Sequence, residues 1–272
     1  MKKPMVHYQA FAKVNLSLKV GNSMDNGMHP ILSKMTQIAF FDELEVTRLD
    51  TYALSRYAII WNENAPVKSE IDWSVTSDLA VRAHRLLEAK IGTTLPVQMK
   101  IEKQIPVGGG LGGGSADAAA MLQAVKEIYS LDVDLDEIAM TLGSDVPFFL
   151  NGGACIVRGT GNEIEPITLE TIHLVLIIPE YGCSTEDVYR EFDSLSEPKS
   201  NGTNDLLAPA CVVEERLSTD INLLQTLTGH EIHISGSGST MFIICDNEKS
   251  ATTLARKIEE NTNLVAIATH TC

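Results

Sequence analysis

The segment Pro106-Val107-Gly108-Gly109-Gly110-Leu111-Gly112-Gly113-Gly114-Ser115 places six glycines in the seven positions from Gly108 to Gly114. Each glycine gives up more backbone entropy on folding than any other residue, so such a cluster is costly unless the main chain must approach something closely. A loop of free amides opening onto a helix N-terminus is an anion site, and the helix macrodipole adds a favourable field. A phosphate chain is the ligand that this chemistry predicts. Two further residues could act on such a ligand. Asp145 follows Gly143 and precedes Pro147, so a constrained turn is expected there. A carboxylate so held can orient a hydroxyl and take its proton. Lys13 offers an ammonium that can stabilise negative charge developing on an acceptor oxygen. A surface lysine and a capping aspartate are the plain alternatives for this pair.

The loop differs from three known phosphate loops. The P-loop ends in Gly-Lys-Ser or Gly-Lys-Thr, but here Gly114 runs directly into Ser115. The dinucleotide fingerprint follows the first strand of its fold, whereas about a hundred residues precede this loop. Protein kinases need His-Arg-Asp and Asp-Phe-Gly, and neither triplet occurs. Ser115 can donate to a phosphate, help to hold magnesium, or simply cap the helix. Lys103, just before the loop, can reach a nucleotide or sit exposed at a strand end.

The elements that must position these groups are legible from periodicity. Val14, Leu16, Leu18 and Val20 alternate with Lys13, Asn15, Ser17 and Lys19, which predicts a half-buried strand with Lys13 and Asn15 on one face. Strands are expected over 35–46, 54–60, 97–101, 172–178, 232–234, 241–245 and 264–268. Helices are expected over 77–89, capped by Ser77 or Asp78, and over 115–129, 136–142, 184–192, 206–227 and 250–260. A change of character falls between Glu163 and Thr171. Mixed strands and helices predict an α+β chain in two lobes that divide near residue 160.

Composition bounds the function. The 272 residues carry 21 Lys plus Arg and 36 Asp plus Glu, a net charge of 21 − 36 = −15. That acidity argues against a nucleic-acid partner, which needs clustered cations. No apolar run is long enough to span a membrane, and Met1 to Ala10, with two lysines and no apolar core behind them, is not expected to be a signal peptide. Five dispersed cysteines form no Cys-x-x-Cys motif and predict free structural thiols in a reducing cytoplasm. No long apolar stripe stands out, so a monomer or weak dimer is expected.

Three separated motifs together resemble those of the GHMP small-molecule kinases. Pro106 to Ala119, PVGGGLGGGSADAA, resembles the family's ATP-binding motif, Ala12 to Leu16 (AKVNL) its N-terminal motif, and Gly236-Ser237-Gly238-Ser239-Thr240 its C-terminal glycine motif. With Leu142 to Phe149 (LGSDVPFF) added, the set resembles the members that act on a cytidine diphosphate-linked methylerythritol. The resemblance implies a two-lobed GHMP kinase fold. Residues 1–160 would form an ATP-binding lobe like domain 2 of ribosomal protein S5, and 161–272 a ferredoxin-like lobe. It implies ATP-dependent phosphorylation of the 2-hydroxyl of the diphosphocytidyl-methylerythritol, in the non-mevalonate route to isoprenoid precursors, with ATP and Mg2+ as cofactors. It places Lys13 and Asp145 together at the reaction centre. Lys103, Pro106, Gly108, Gly109, Gly110, Leu111, Gly112, Gly113, Gly114 and Ser115 would surround the nucleotide. Asn15, Met28, His29 and Thr185 would meet the substrate, with Tyr181 as a further contact, and no magnesium ligand is identified.

Three positions depart from the resembling kinases. Gly27-Met28-His29 stands where they carry Gly-Tyr-His, whose ring stacks on cytosine while the histidine bonds the base. His29 can still make that bond, but Met28 offers only a polarizable sulfur. Met35 replaces a usual phenylalanine, and Asp78 an asparagine beside the adenine. These departures keep open a GHMP kinase for another small alcohol. A catalytically silent nucleotide-binding relative is the second alternative, and the intact Lys13 and Asp145 speak against it.

Overall fold

The computed structural model describes residues 3–195 and 202–272. In chain order the elements are β1 (Met5–Val20), β2 (Ile31–Arg48), β3 (Arg56–Trp61), α1 (Leu79–Ile91), β4 (Val97–Lys103), α2 (Gly113–Tyr129), α3 (Asp136–Leu142) and α4 (Val146–Asn151). There follow β5 (Ala154–Gly159), β6 (Glu163–Ile167), β7 (His173–Ile178), α5 (Thr185–Ser194), α6 (Leu207–Val213), α7 (Glu215–Thr228), β8 (His233–Ile234), β9 (Met241–Cys245), α8 (Glu248–Asn261) and β10 (Val265–His270). No helix among the described residues is long and apolar enough to cross a membrane.

Packing divides the chain into two compact units, each assembled from several stretches. The first comprises 1–12, 40–105 and 112–152, and the second 13–39, 106–111 and 153–272. The sequence reading divides the chain once, at residue 160. The units interleave because β2 is long: its second half pairs with β4 from Glu43 to Arg48, and its first half with β5 from Ile31 to Thr36. In the first unit β4 also pairs in parallel with β3. There α1 begins at Asp78, whose side chain accepts from the Ala80 N–H at 2.9 Å, so Asp78 rather than Ser77 is the cap.

The second unit contains a four-stranded sheet in the order β10-β7-β9-β8, with every pairing antiparallel. Chain order β7, α5 to α7, β8, β9, α8, β10 with that spatial order is the ferredoxin-like arrangement. Its core gathers Val175, Ile177, Leu217, Leu224, Ile234, Met241, Ile243 and Ile258. The alternation in β7 is lost because Leu174 to Ile178 are buried on both faces.

Three elements had no sequence signal. Helix α4 is six residues long and apolar almost throughout, so no 3.6-residue period can show. Strand β5 is short, and β6 carries Pro166 among acidic residues at a sheet edge, where proline is tolerated. The single helix expected over 206–227 is two helices, because Glu214 adopts extended geometry with φ −130. Pro209 falls in the first turn of α6, where no intrahelical N–H is lost.

Candidate active site

In the second unit, three segments far apart in sequence interlock. The Lys13 N–H donates to the Leu111 carbonyl at 2.9 Å, tying β1 to the glycine loop. The Thr240 N–H donates to the Gly109 carbonyl at 3.1 Å, and the Ser235 hydroxyl to the Gly110 carbonyl at 2.9 Å. Gly110 has φ +74, and a Cβ there would lie 2.1 Å from the Ser235 carbonyl oxygen and 2.9 Å from that of Gly238. Only glycine permits this approach of two main chains. The Thr240 hydroxyl at the same contact is buried without a hydrogen-bond partner.

The polar face of β1 is covered by this junction. Lys13 and Asn15 are 4% and 5% exposed, so the strand is buried on both faces here rather than half-buried. Lys13 Nζ donates to Asn15 Oδ1 at 2.5 Å, and Asn15 Nδ2 to the Ser33 hydroxyl at 2.8 Å. A Cβ on Gly236 would lie 3.3 Å from Lys13 Nζ, so the C-terminal glycine turn runs directly beside the ammonium. Two buried residues that the sequence reading missed hold that turn. Ser235 is one. The other is Asn204, whose Nδ2 donates to the Ile234 and Gly236 carbonyls at 3.1 and 2.8 Å, while its Oδ1 accepts the Leu206 N–H. An asparagine just before a helix reads as a cap in sequence, and its long-range donors leave no local trace.

Further contacts come from the start of α5. The exposed Thr185 bonds Ser237 hydroxyl to hydroxyl at 2.9 Å. The Cys183 N–H donates to the Gly108 carbonyl at 3.4 Å. Tyr181 donates to Asp220 at 2.5 Å beneath the Arg216 guanidinium, and burial together with Asp220 raises its pKa. All five cysteines are free thiols, and burial pushes Cys183 up to about 11, which suits a structural rather than a nucleophilic role.

The other half of the loop opens α2 in the first unit. Gly112 is the N-cap with φ +72, so Gly113 and Gly114 lie inside the first turn, two residues earlier than expected. Ser115 is therefore the third helical residue and not the cap. The first-turn amides have no intrahelical acceptor and face the loop end of a 17-residue helix. A Cβ on Gly113 would come within 2.9 Å of Ile105, so a side chain there disturbs packing as well as any ligand.

Both stems of this half-loop are gripped by a buried charge triad. Lys103 ends β4 and donates to Asp42 at 2.5 Å and to Asp117, on α2, at 2.7 Å; Lys103 is 4% exposed. Lys103 is thus enclosed by carboxylates instead of exposed at a strand end. Burial alone would lower its pKa, but Asp117 and Asp42 together raise it. Asp42 also accepts the Gln104 and Ile105 N–H groups. Asp117 has only the ammonium, and its Oδ1 is buried without a partner. Burial, reinforced by the Asp42 charge, pushes Asp117 up to about 8 against the pull of Lys103.

A stability profile follows from that shift. The unfolded Asp117 titrates near 3.8 and the folded one near 8, so the folded chain holds the extra proton between those values. Its contribution is complete below pH 3.8 and is lost as pH rises through about 8. Asp117→Asn is expected to flatten the fall of Tm measured by calorimetry between pH 5 and pH 9. An unaltered slope would contradict the assignment.

Asp145 occupies the N-cap position of α4 in the first unit, with Pro147 behind it, yet its side chain makes no capping bond. The constrained turn is present, and the capping alternative does not describe it. Lys13 belongs to the second unit.

The predicted base end lies in the second unit. Met28 is 44% exposed, whereas the His29 side chain is 5% exposed. The His29 ring centroid lies 5.0 Å from that of Tyr189 and 5.9 Å from that of Phe192. Its Nε2 is 2.7 Å from Asp193 Oδ1. Met35, 1% exposed on β2, fills core space.

Residues 78–153 match the GHMP kinases N terminal domain family. A 4-diphosphocytidyl-2-C-methyl-D-erythritol kinase of Polaromonas naphthalenivorans is 34% identical over 261 residues, covering 88% of this chain and 86% of that protein. The protein of the same name from Rhodococcus jostii is 32% identical over 284 residues, covering 94% and 88%. Among solved structures, a 4-(cytidine 5'-diphospho)-2C-methyl-D-erythritol kinase superposes with TM-score 0.80 at 28% identity, over 98% of this chain and 99% of that one. The mevalonate kinase of L. major shares the fold at TM-score 0.70 and 13% identity, covering 99% and 97%. The interlocked glycine loop, the Lys13 strand and the C-terminal glycine turn therefore stand in a chain that belongs to the GHMP kinase family, among its 4-diphosphocytidyl-2-C-methyl-D-erythritol kinases.

Proposed function

We propose that the chain transfers the γ-phosphoryl group of ATP to the 2-hydroxyl of 4-diphosphocytidyl-2-C-methyl-D-erythritol, a step toward isoprenoid precursors. The observation that carries this reading is the junction at which Gly109 to Leu111 are fixed by Ser235, Thr240 and the Lys13 strand. Phosphoryl transfer asks the protein mainly for positioning and charge stabilisation. The loop amides and the first turn of α2 bind the phosphates. Lys13, oriented by Asn15, stabilises charge on the acceptor oxygen. Asp145 orients the hydroxyl and takes its proton as the oxygen bonds the γ-phosphorus and the bond to the bridging oxygen of ADP breaks. Asn15, His29, Met28 and Thr185 meet the substrate.

The glycine cradle and the unpartnered Thr240 hydroxyl fit a triphosphate. Magnesium, which neutralises phosphate oxygens when bound, usually takes one or two protein oxygens beside the phosphates and water. No group of three His, Cys, Asp or Glu among the described residues forms a dedicated site, and Ser115 is the protein oxygen at the helix start. Residues 1–160 and 161–272 are the proposed family domains, in a cytoplasmic monomer or weak dimer. Phosphorylation of the cytidylyl substrate, compared with mevalonate, homoserine and galactose, tests the reading; turnover of one of the others in its place would overturn it.

A further inference from the structure

We propose that Asp193 is a positioning residue that fixes the tautomer of His29, and thereby makes the site select a nucleobase presenting an amino group. The inference rests on the cytidine-linked substrate proposed above. His29 Nε2 lies 2.7 Å from Asp193 Oδ1, and a carboxylate can only accept, so Nε2 carries the hydrogen. In the neutral ring Nδ1 is then an acceptor. Nδ1 has no hydrogen-bond partner among the described residues, and it is not one of the sealed polar atoms. The ring cannot readily turn to exchange its nitrogens. It is 5% exposed, with Tyr189 and Phe192 against it at centroid distances of 5.0 and 5.9 Å.

An acceptor at Nδ1 matches the exocyclic amino group of cytosine and opposes the carbonyl that uracil carries at the same place. A mismatch leaves two lone pairs facing each other, and sites that leave a polar group unpaired discriminate strongly. With Met28 in place of an aromatic side chain, this hydrogen bond carries more of the base recognition than a stacking ring would leave to it. The effect of Asp193 passes through His29, whose Nε2 its carboxylate holds.

The test combines kinetics with a direct view of the ring. Wild type, Asp193→Asn and Asp193→Leu are assayed with the cytidine-linked substrate and its uridine-linked counterpart. Asp193→Leu is expected to raise KM for the cytidine-linked substrate by about tenfold, one hydrogen bond's worth, with kcat little changed. The preference over the uridine-linked compound should shrink accordingly. Asp193→Asn keeps an acceptor oxygen and is expected to restore KM to within about threefold of wild type, on the same hydrogen-bond scale. Nitrogen-15 NMR of histidine-labelled wild type, assigned against His29→Gln, should show the proton on Nε2 and a bare Nδ1. An unchanged KM in Asp193→Leu, or a protonated Nδ1, would overturn the proposal. If wild type phosphorylates neither compound, the functional reading fails, while the NMR still decides the tautomer.

Discussion

Asp145→Asn is expected to leave ATP affinity close to wild type and to lower kcat by roughly 10²–10⁴-fold, the usual contribution of a positioned general base. Asparagine keeps the size of the side chain and can still contact the hydroxyl, but it cannot take its proton. Calorimetry with an ATP analogue and single-turnover kinetics separate the two effects. A near-normal rate would remove Asp145 from the reaction, and lost nucleotide binding would show that it serves the fold instead.

The second large effect is expected at Gly110. An alanine Cβ would meet two backbone carbonyl oxygens, at 2.1 and 2.9 Å, and neither is the movable end of a side chain. The residue also sits at φ +74, which a Cβ disfavours. Overpacking and the dihedral cost together come to about 3 kcal/mol. For a chain of this length that is a fall in Tm of roughly 6–12 °C. Gly114→Ala is the control, since its Cβ would find only Leu79 Cδ1 at an ordinary 3.5 Å. Equal Tm values for the two variants would refute the claim that the Gly110 contact is obligatory.

The sequence carried the chemistry further than the architecture. The glycine loop, Lys13 and Asp145 stand out because their residue types are costly or reactive wherever they occur. The regular strands and helices from β1 to α3 declared themselves by period. What remained hidden was long-range. Nothing near Asp42 or Asp117 announces that both grip Lys103, because an isolated aspartate reads as a cap or a solvated face. Asn204 and Ser235 were silent for the same reason: their partners at 234, 236 and 110 lie up to 125 positions away. The interleaved units follow from β2 pairing differently along its two halves, which no local pattern encodes.

Asn204 has a consequence for how the protein withstands chemical damage. Its carboxamide gives two hydrogens to main-chain oxygens of the turn beside Lys13. Hydrolysis to a carboxylate would remove both donors and set a negative charge against two carbonyls. The damage would arise away from Lys13, yet it would loosen the turn that runs beside its ammonium. Loss of this one carboxamide would thus weaken the turn while leaving Lys13 itself chemically intact.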